Sequence, residues 1–282
     1  MLARQIRYNT PVTLRSIAAA ILAIAISAPL PAQWLTYPTA GVPTTPSGFP
    51  NLGAPTPRTA DGKPDFSGMW EAENVLPCDT KTSSCTDLRA GPEIRDIAAR
   101  LPDSLPYQPW AADLSKSRAA ENGRDWPHSR CLPLGPTEIH TTPMFKKFVQ
   151  APGLLVILHE FNASYRQIFT DGRPLPVDPN PSWNGYSSAH WEGDTLVVES
   201  AGFRDGLWLD IKGDPLTDAA KVTERFRRLN FGNMEIELTI DDPKAYSKPW
   251  TIKLHEFIVL NTELLDYICM ENEKDMSHMV GK

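Results

Sequence analysis

The stretch Ser187-Ser188-Ala189-His190-Trp191-Glu192-Gly193-Asp194-Thr195-Leu196-Val197-Val198-Glu199-Ser200 constrains the fold of this chain more than any other. Two short segments meet at Glu192-Gly193-Asp194, where Gly193 is free to take positive φ, and that arrangement reads as a β-hairpin with a tight turn. The same grammar recurs from Met144 to the C-terminus. Leu154 to Phe161 and Tyr165 to Thr170 are strand candidates ahead of an Asp171-Gly172 turn signal. Val222 to Leu229 and Met234 to Ile240 form a second hairpin across Asn230-Phe231-Gly232-Asn233, and Trp250 to Val259 and Glu263 to Cys269 complete a meander. Over 234–240 the alternation is clean, with Met234, Ile236, Leu238 and Ile240 on one side and Glu235, Glu237 and Thr239 on the other. Seven or eight such strands lose their edges most simply by closing. The expected fold is therefore mainly β, a lipocalin-like antiparallel β-barrel around a small-molecule cavity, with a β-sandwich as the alternative.

The texture before residue 144 is different. Arg4, Arg7 and Arg15 precede an apolar run from Ile17 to Leu30, and Ala32 is a small residue suited to cleavage, so residues 1–32 read as a secretory signal peptide. Residues 33–65 carry Pro38, Pro43, Pro46, Pro50, Pro55, Pro57 and Pro64 and read as a proline-rich arm or linker. Residues 66–143 read as an irregular wrapping segment with one helical candidate from Gly91 to Arg100, and 144–282 as the barrel domain.

Export carries consequences for charge and for cysteine. Cleavage after residue 32 removes three arginines and no acid, leaving 25 basic against 34 acidic residues, a net charge of −9. That balance argues against nucleic acid or an anionic membrane surface as partner, and no later stretch is apolar enough to stay in a bilayer. Four cysteines in an exported chain favour two disulfides. Three pairings are possible; Cys78 and Cys85 bracket a six-residue polar loop and are expected to pair locally, in which case Cys131 and Cys269 would staple the segment before the barrel to its last strand.

Several segments together resemble one group of proteins. They are Tyr165-Arg166-Gln167-Ile168-Phe169-Thr170-Asp171-Gly172-Arg173-Pro174, then Trp183-Asn184-Gly185-Tyr186-Ser187, then Trp191-Glu192-Gly193-Asp194-Thr195-Leu196-Val197-Val198. Trp208-Leu209-Asp210, Glu224-Arg225-Phe226 and Ile240-Asp241-Asp242-Pro243 belong with them, as do Pro249-Trp250, the Asp65-Phe66-Ser67-Gly68 segment ending at Trp70, and Cys131-Leu132-Pro133. As a set, over most of residues 65–275, the chain resembles a large family of exported, β-rich bacterial proteins of uncharacterised activity. The resemblance implies export and a β-rich fold and supplies no reaction. Where the family pattern has Gly followed by a basic or polar residue, this chain has Ala189-His190, which singles out His190.

Candidate chemistry lies on strands. Glu224 shares a side with Val222 and Phe226, and Glu256 is in phase with Ile252, Leu254 and Ile258, so both carboxylates fall on an apolar face. Burial there raises a carboxyl pKa toward neutrality and suits acid–base work, whereas the plainer role is an ion pair, for instance with Arg166. His159, in phase with Leu155, Ile157 and Phe161, is expected to face inward; His190 and, with a weaker case, His140 are further histidines able to shuttle a proton. Trp183, Tyr186 and Trp208, with Asp210 beside the last, are candidate ligand contacts, since such rings pack on flat apolar or aromatic molecules and on sugar faces.

Other chemistries find no signature. There is no Gly-x-Ser-x-Gly elbow, no phosphate loop, no dinucleotide fingerprint, no zinc spacing and no haem-attachment motif, so neither a cofactor nor a metal is expected. The expectation is an exported barrel that binds a small hydrophobic or aromatic molecule. It would act as a cofactor-independent lyase, isomerase or hydrolase with Glu224 or His190 as base and Arg166 holding a developing anion; the alternatives are a ligand carrier without catalysis and a structural envelope protein. The sequence leaves the oligomeric state open.

Overall fold

Among the described residues eleven strands follow in chain order: β1 (Gly68–Ala72), β2 (Lys146–Ala151), β3 (Leu154–His159), β4 (Ser164–Phe169), β5 (Tyr186–Glu192), β6 (Thr195–Ala201), β7 (Leu207–Trp208), β8 (Pro215–Leu216), β9 (Lys221–Arg228), β10 (Asn233–Asp241) and β11 (Trp250–Val259). Two α-helices, α1 (Pro109–Ala120) and the single turn α2 (Glu138–Thr141), lie between β1 and β2, along with 3-10 turns at Pro92–Ile94 and Pro127–Arg130. The computed structural model describes residues 37–73 and 92–271. The expected signal peptide and the Cys78–Cys85 pair lie outside the described residues.

Nine of the strands close a barrel in the order β1-β11-β10-β9-β6-β5-β4-β3-β2, and β7 and β8 form a separate two-stranded ribbon. Every neighbour pairs antiparallel except β4 and β5, which pair parallel through Ile168–Ser187 and Phe169–Ser188. The exception is a topological necessity, because an odd number of strands cannot alternate direction all the way round a closed ring. The long loop from Thr170 to Gly185, rich in proline, is what lets β5 enter parallel to β4, since a two-residue turn joins only antiparallel neighbours.

The mainly β fold and the closed barrel expected from the alternation are present. In β10, Met234, Ile236, Leu238 and Ile240 are all buried, and the β5–β6 hairpin turns at Gly193 with φ of 61°. Two elements differ from the sequence reading. The barrel takes β1 from residues 68–72, upstream of residue 144, and β1 closes the ring by pairing with both β11 and β2. Glu263–Cys269 is not a strand, because the chain breaks at Asn261 (φ 58°) and makes a single isolated backbone bridge, Tyr267 to Phe161.

The described part of the proline-rich segment is folded back on the barrel. Phe231 and Gly232 donate backbone N–H bonds to Ala54 and Leu52 (both 2.8 Å), and Arg58 pairs with Asp194 at the β5–β6 turn. At Gly232 a Cβ would lie 2.7 Å from the Leu52 Cβ, so glycine is what permits this close approach.

The barrel interior is filled. Phe226 sits at its centre, edge-on to Phe66, Phe148 and the His140 ring, with Trp70, Leu155, Ile157, Ile236 and Leu238 packed around it. Truncating such a ring costs on the order of 3–5 kcal/mol. The hollow core anticipated from the sequence is thus occupied by side chains, ionisable ones among them.

Candidate functional site

Alternation along four strands, plus one turn of helix, brings the ionisable groups together. Lys146 begins β2, Arg166 lies on β4, Glu224 on β9 and Glu256 on β11, each on the inward face of its strand, and α2 drops His140 between the two glutamates. The His140 ring contacts Glu256 through Nδ1 (2.8 Å) and Glu224 through Nε2 (3.0 Å). Arg166 donates to both Glu224 oxygens, at 2.8 Å to Oε1 and more closely to Oε2, and also to Ser187 Oγ and to Ser200 Oγ (3.0 Å). Lys146 Nζ donates to Glu256 Oε1 (2.8 Å). All five side chains are almost wholly buried.

The electrostatics reverse the sequence expectation for Glu224. Burial by itself would raise its pKa, but the charge and hydrogen bonds of Arg166, joined by His140, overcome it and hold the carboxyl down at about 2. In Glu256 burial is likewise overcome, here by Lys146 and His140, and the pKa is lowered. These are ionised partners of a buried pair, the plainer of the two roles read from the sequence. With both carboxylates accepting, His140 satisfies both contacts only when each ring nitrogen carries a proton, or when one glutamate holds that proton instead. Glu256 Oε2 and Thr141 Oγ1 have no hydrogen-bond partner among the described residues. A polar space of about 10 Å³ lies beside His140 and Thr141, bordered also by Glu73, Glu93, Arg100 and His255. That is room for about one water.

His159 also faces inward, as its phase predicts, and leads away from this network. The Phe161 backbone N–H donates to its Nδ1 (3.1 Å), so the proton resides on Nε2, which donates to Thr142 Oγ1 (3.0 Å). Burial, and then the charge of Lys146, its cross-strand neighbour, press the His159 pKa well below the ordinary histidine value and keep the ring neutral.

Thr142 and Phe161 form part of the wall of a second space, a pocket of about 380 Å³ where the 127–130 turn and the 267–270 segment meet the barrel. Its other walls include Trp126, His128, Ile211, Tyr267 and the Cys131–Cys269 disulfide (Cα–Cα 5.5 Å), whose pairing matches the sequence expectation. The aromatic rings form a ladder, with His128 4.4 Å from Trp126 and 4.7 Å from Phe161, and Phe161 5.9 Å from Tyr267, centroid to centroid. Burial pushes His128 down to about 3. Behind it, 3.6 Å from its Nε2, Glu138 is pushed up to about 7 by burial, against the N–H bonds it accepts from Gly135 (2.7 Å) and Trp126 (2.6 Å). His128 Nε2 has no hydrogen bond among the described residues.

The remaining sequence candidates lie elsewhere. His190 points outward from β5 with its side chain 52% exposed, in an ion-pair cluster with Glu192 and Arg225, so it is remote from the buried network and is corrected here to a surface residue. Tyr186 stacks on Phe169 (5.2 Å) beside Arg173, on the outside of the barrel. Trp183 and Trp208 do share an open groove of about 520 Å³, but Arg204 covers the first ring at 4.6 Å and Arg118 the second at 4.3 Å. Asp210 holds its own loop against the 95–98 segment, accepting backbone N–H bonds from Ile97 (2.6 Å), Gly213 (2.9 Å) and Asp214 (3.1 Å).

Asp96, Asp210 and Asp214 approach one another closely enough to suit a cation, and Lys212 supplies one, its Nζ lying 3.3 Å from Asp96 and 3.7 Å from Asp214. No helix among the described residues is long and apolar enough to cross a membrane. Compared with known proteins, the chain matches no family model and no curated sequence.

Proposed function

We propose that this is an exported barrel that binds a small hydrophobic molecule, and that the ligand sits at the barrel's end, between Trp126, Phe161 and Tyr267, and not along its axis. The observation that carries the reading is the apolar pocket of about 380 Å³ with its aromatic walls, a size that suits a small ligand, beside a barrel interior packed with side chains. The disulfide that forms part of the pocket wall supports an oxidising compartment and hence export.

Carriage of the ligand is the first reading. One arrangement favours a second, cofactor-independent proton transfer. His128 and Glu138 are two titratable groups 3.6 Å apart whose surroundings drive their pKa values in opposite directions, to about 3 and about 7. Such splitting is the mark of an acid–base pair. Glu138 then exchanges a proton near neutral pH and His128, which lines the pocket, passes it to or from the ligand. On this second reading the acid–base work falls to His128 and Glu138 instead of Glu224 and His190.

Titration with a panel of neutral aromatic and terpenoid compounds tests both readings, because Trp126 in the pocket wall reports occupancy by fluorescence. Saturable quenching that Ile211→Trp abolishes by filling the pocket is the expected result. Mass spectrometry of the same samples separates the two: intact ligand supports a carrier, and a changed product that disappears in Glu138→Gln supports catalysis. Absence of quenching across the panel would remove the binding reading.

A further inference from the structure

We propose that the pocket selects an uncharged, flat apolar molecule carrying one hydrogen-bond-accepting oxygen, which receives the Thr142 hydroxyl proton. The inference rests on the binding reading above and names the ligand class for that same pocket.

Phe161 N–H donates to His159 Nδ1, which leaves His159 Nε2 as the donor in its 3.0 Å contact with Thr142 Oγ1. The threonine oxygen therefore accepts, and its own O–H must point to some other acceptor. Among the described residues no hydrogen bond uses that proton, although Thr142 is almost fully buried. A buried donor without a partner is costly, and the void next to it is the pocket that Thr142 lines. An oxygen on the ligand completes the chain from Phe161 through His159 and Thr142.

Charge is set by the same walls. No Asp, Glu, Lys or Arg lines the pocket among the described residues, and both nearby imidazoles are kept neutral by burial. An ionised ligand would lose its hydration without gaining a counter-charge, so it is excluded. Shape follows from the ladder of Trp126, His128, Phe161 and Tyr267, whose faces favour a planar ring system.

Three probes with one ring system separate these features: 2-acetylnaphthalene, 2-ethylnaphthalene and 2-naphthoate. The ketone gives up water on entering and the ethyl compound does not, so their raw affinities are not comparable; the change on mutation is. Thr142→Val is expected to weaken the ketone by about tenfold while leaving the ethyl compound unchanged, and Thr142→Ser is expected to keep the wild-type ratio. The carbonyl stretch of the bound ketone in wild-type protein, shifted to lower frequency than in a hydrocarbon solvent, reads the same hydrogen bond without any variant, so the proposal stands or falls even where Thr142→Val does not fold. An unshifted carbonyl, or equal effects of Thr142→Val on ketone and ethyl compound, would overturn the acceptor requirement. Naphthoate binding as tightly as the ketone would overturn the demand for neutrality. Both failures leave the binding reading intact, whereas no binding by any probe to wild-type protein would remove it together with the inference.

Discussion

Replacing Glu224 by Gln tests the charged core most directly. The substitution keeps the side chain's shape and removes the charge that faces the Arg166 guanidinium and the His140 Nε2. Burial makes the Glu224 anion unfavourable, yet its pKa falls from 4.5 to about 2, so its partners outweigh burial by roughly 2.5 pH units. At 1.36 kcal/mol per unit that is about 3 kcal/mol of folding free energy, and an uncompensated buried arginine brings the cost to about 3–5 kcal/mol. A carboxyl whose folded pKa lies below its unfolded value adds stability that is complete above the unfolded value and disappears as pH falls through the folded one. The difference in urea-unfolding free energy between wild type and Glu224→Gln should therefore be about 3–5 kcal/mol at pH 6. It should shrink by about 3 kcal/mol as pH drops from 4.5 to 2. Adding Arg166→Met to the variant should recover part of the loss, since the orphaned charge leaves with it. A difference under about 1 kcal/mol at pH 6, or one that does not change with pH, would refute this account of the network.

Three further outcomes follow from the geometry. His190→Ala should change the unfolding free energy by no more than about 0.5 kcal/mol and leave ligand binding as it was, because the ring lies at the surface; a loss of binding in the fluorescence titration would return His190 to the site. Opening the Cys131–Cys269 bond, which spans 138 residues of sequence, by Cys131→Ala with Cys269→Ala should cost about 4–5 kcal/mol in urea unfolding, and equal stability with and without the bond would count against a stapling role. His128, lowered from 6.5 to about 3, loses stability as pH falls below 6.5, while Glu138, raised from 4.5 to about 7, loses it as pH rises from 4.5 toward 7. The two oppose each other between 4.5 and 6.5, so His128→Phe should unmask a stability that declines with pH across that window; a variant curve parallel to wild type would refute the pairing.

Period-two alternation made the inward placement of Glu224, Glu256 and His159 legible, because a strand offers only two faces and their neighbours are apolar. It also placed His190 on the face of Ser188, and that phase is correct. What the pattern could not say is which face was inside, because Ser187, Ser188 and Ala189 are buried in succession: Ser187 meets Arg166 within the barrel, while Ser188 is covered by the Arg173 carbonyl on the outside. His140, His128, Glu138 and Thr142 come from turns and a single helical turn, where no periodicity aims a side chain, so His140 is legible only as a histidine able to shuttle a proton. Trp183 and Trp208 are candidate ligand contacts by residue type, but cation–π stacking by Arg204 and Arg118, which lie far from Trp183 or Trp208 in sequence or across a loop, covers their rings.

The charged core and the pocket make sense as one arrangement. Replacing a buried charge network by well-packed apolar residues of the same volume is often neutral or stabilising, so specification of register is the role that the geometry offers these five groups. They come from β2, β4, β9, β11 and α2, and each charge finds its partner only if all four strands hold their register; a slip of one residue would turn a charge outward and expose the apolar side chains beside it. The same register seats Lys146 opposite His159. There burial, joined by the charge of Lys146, keeps His159 neutral, the Phe161 N–H on Nδ1 fixes its proton on Nε2, and that proton turns the Thr142 hydroxyl into a donor at the pocket wall. A network closed to any ligand thereby sets the chemistry presented to one, from the barrel interior to its mouth.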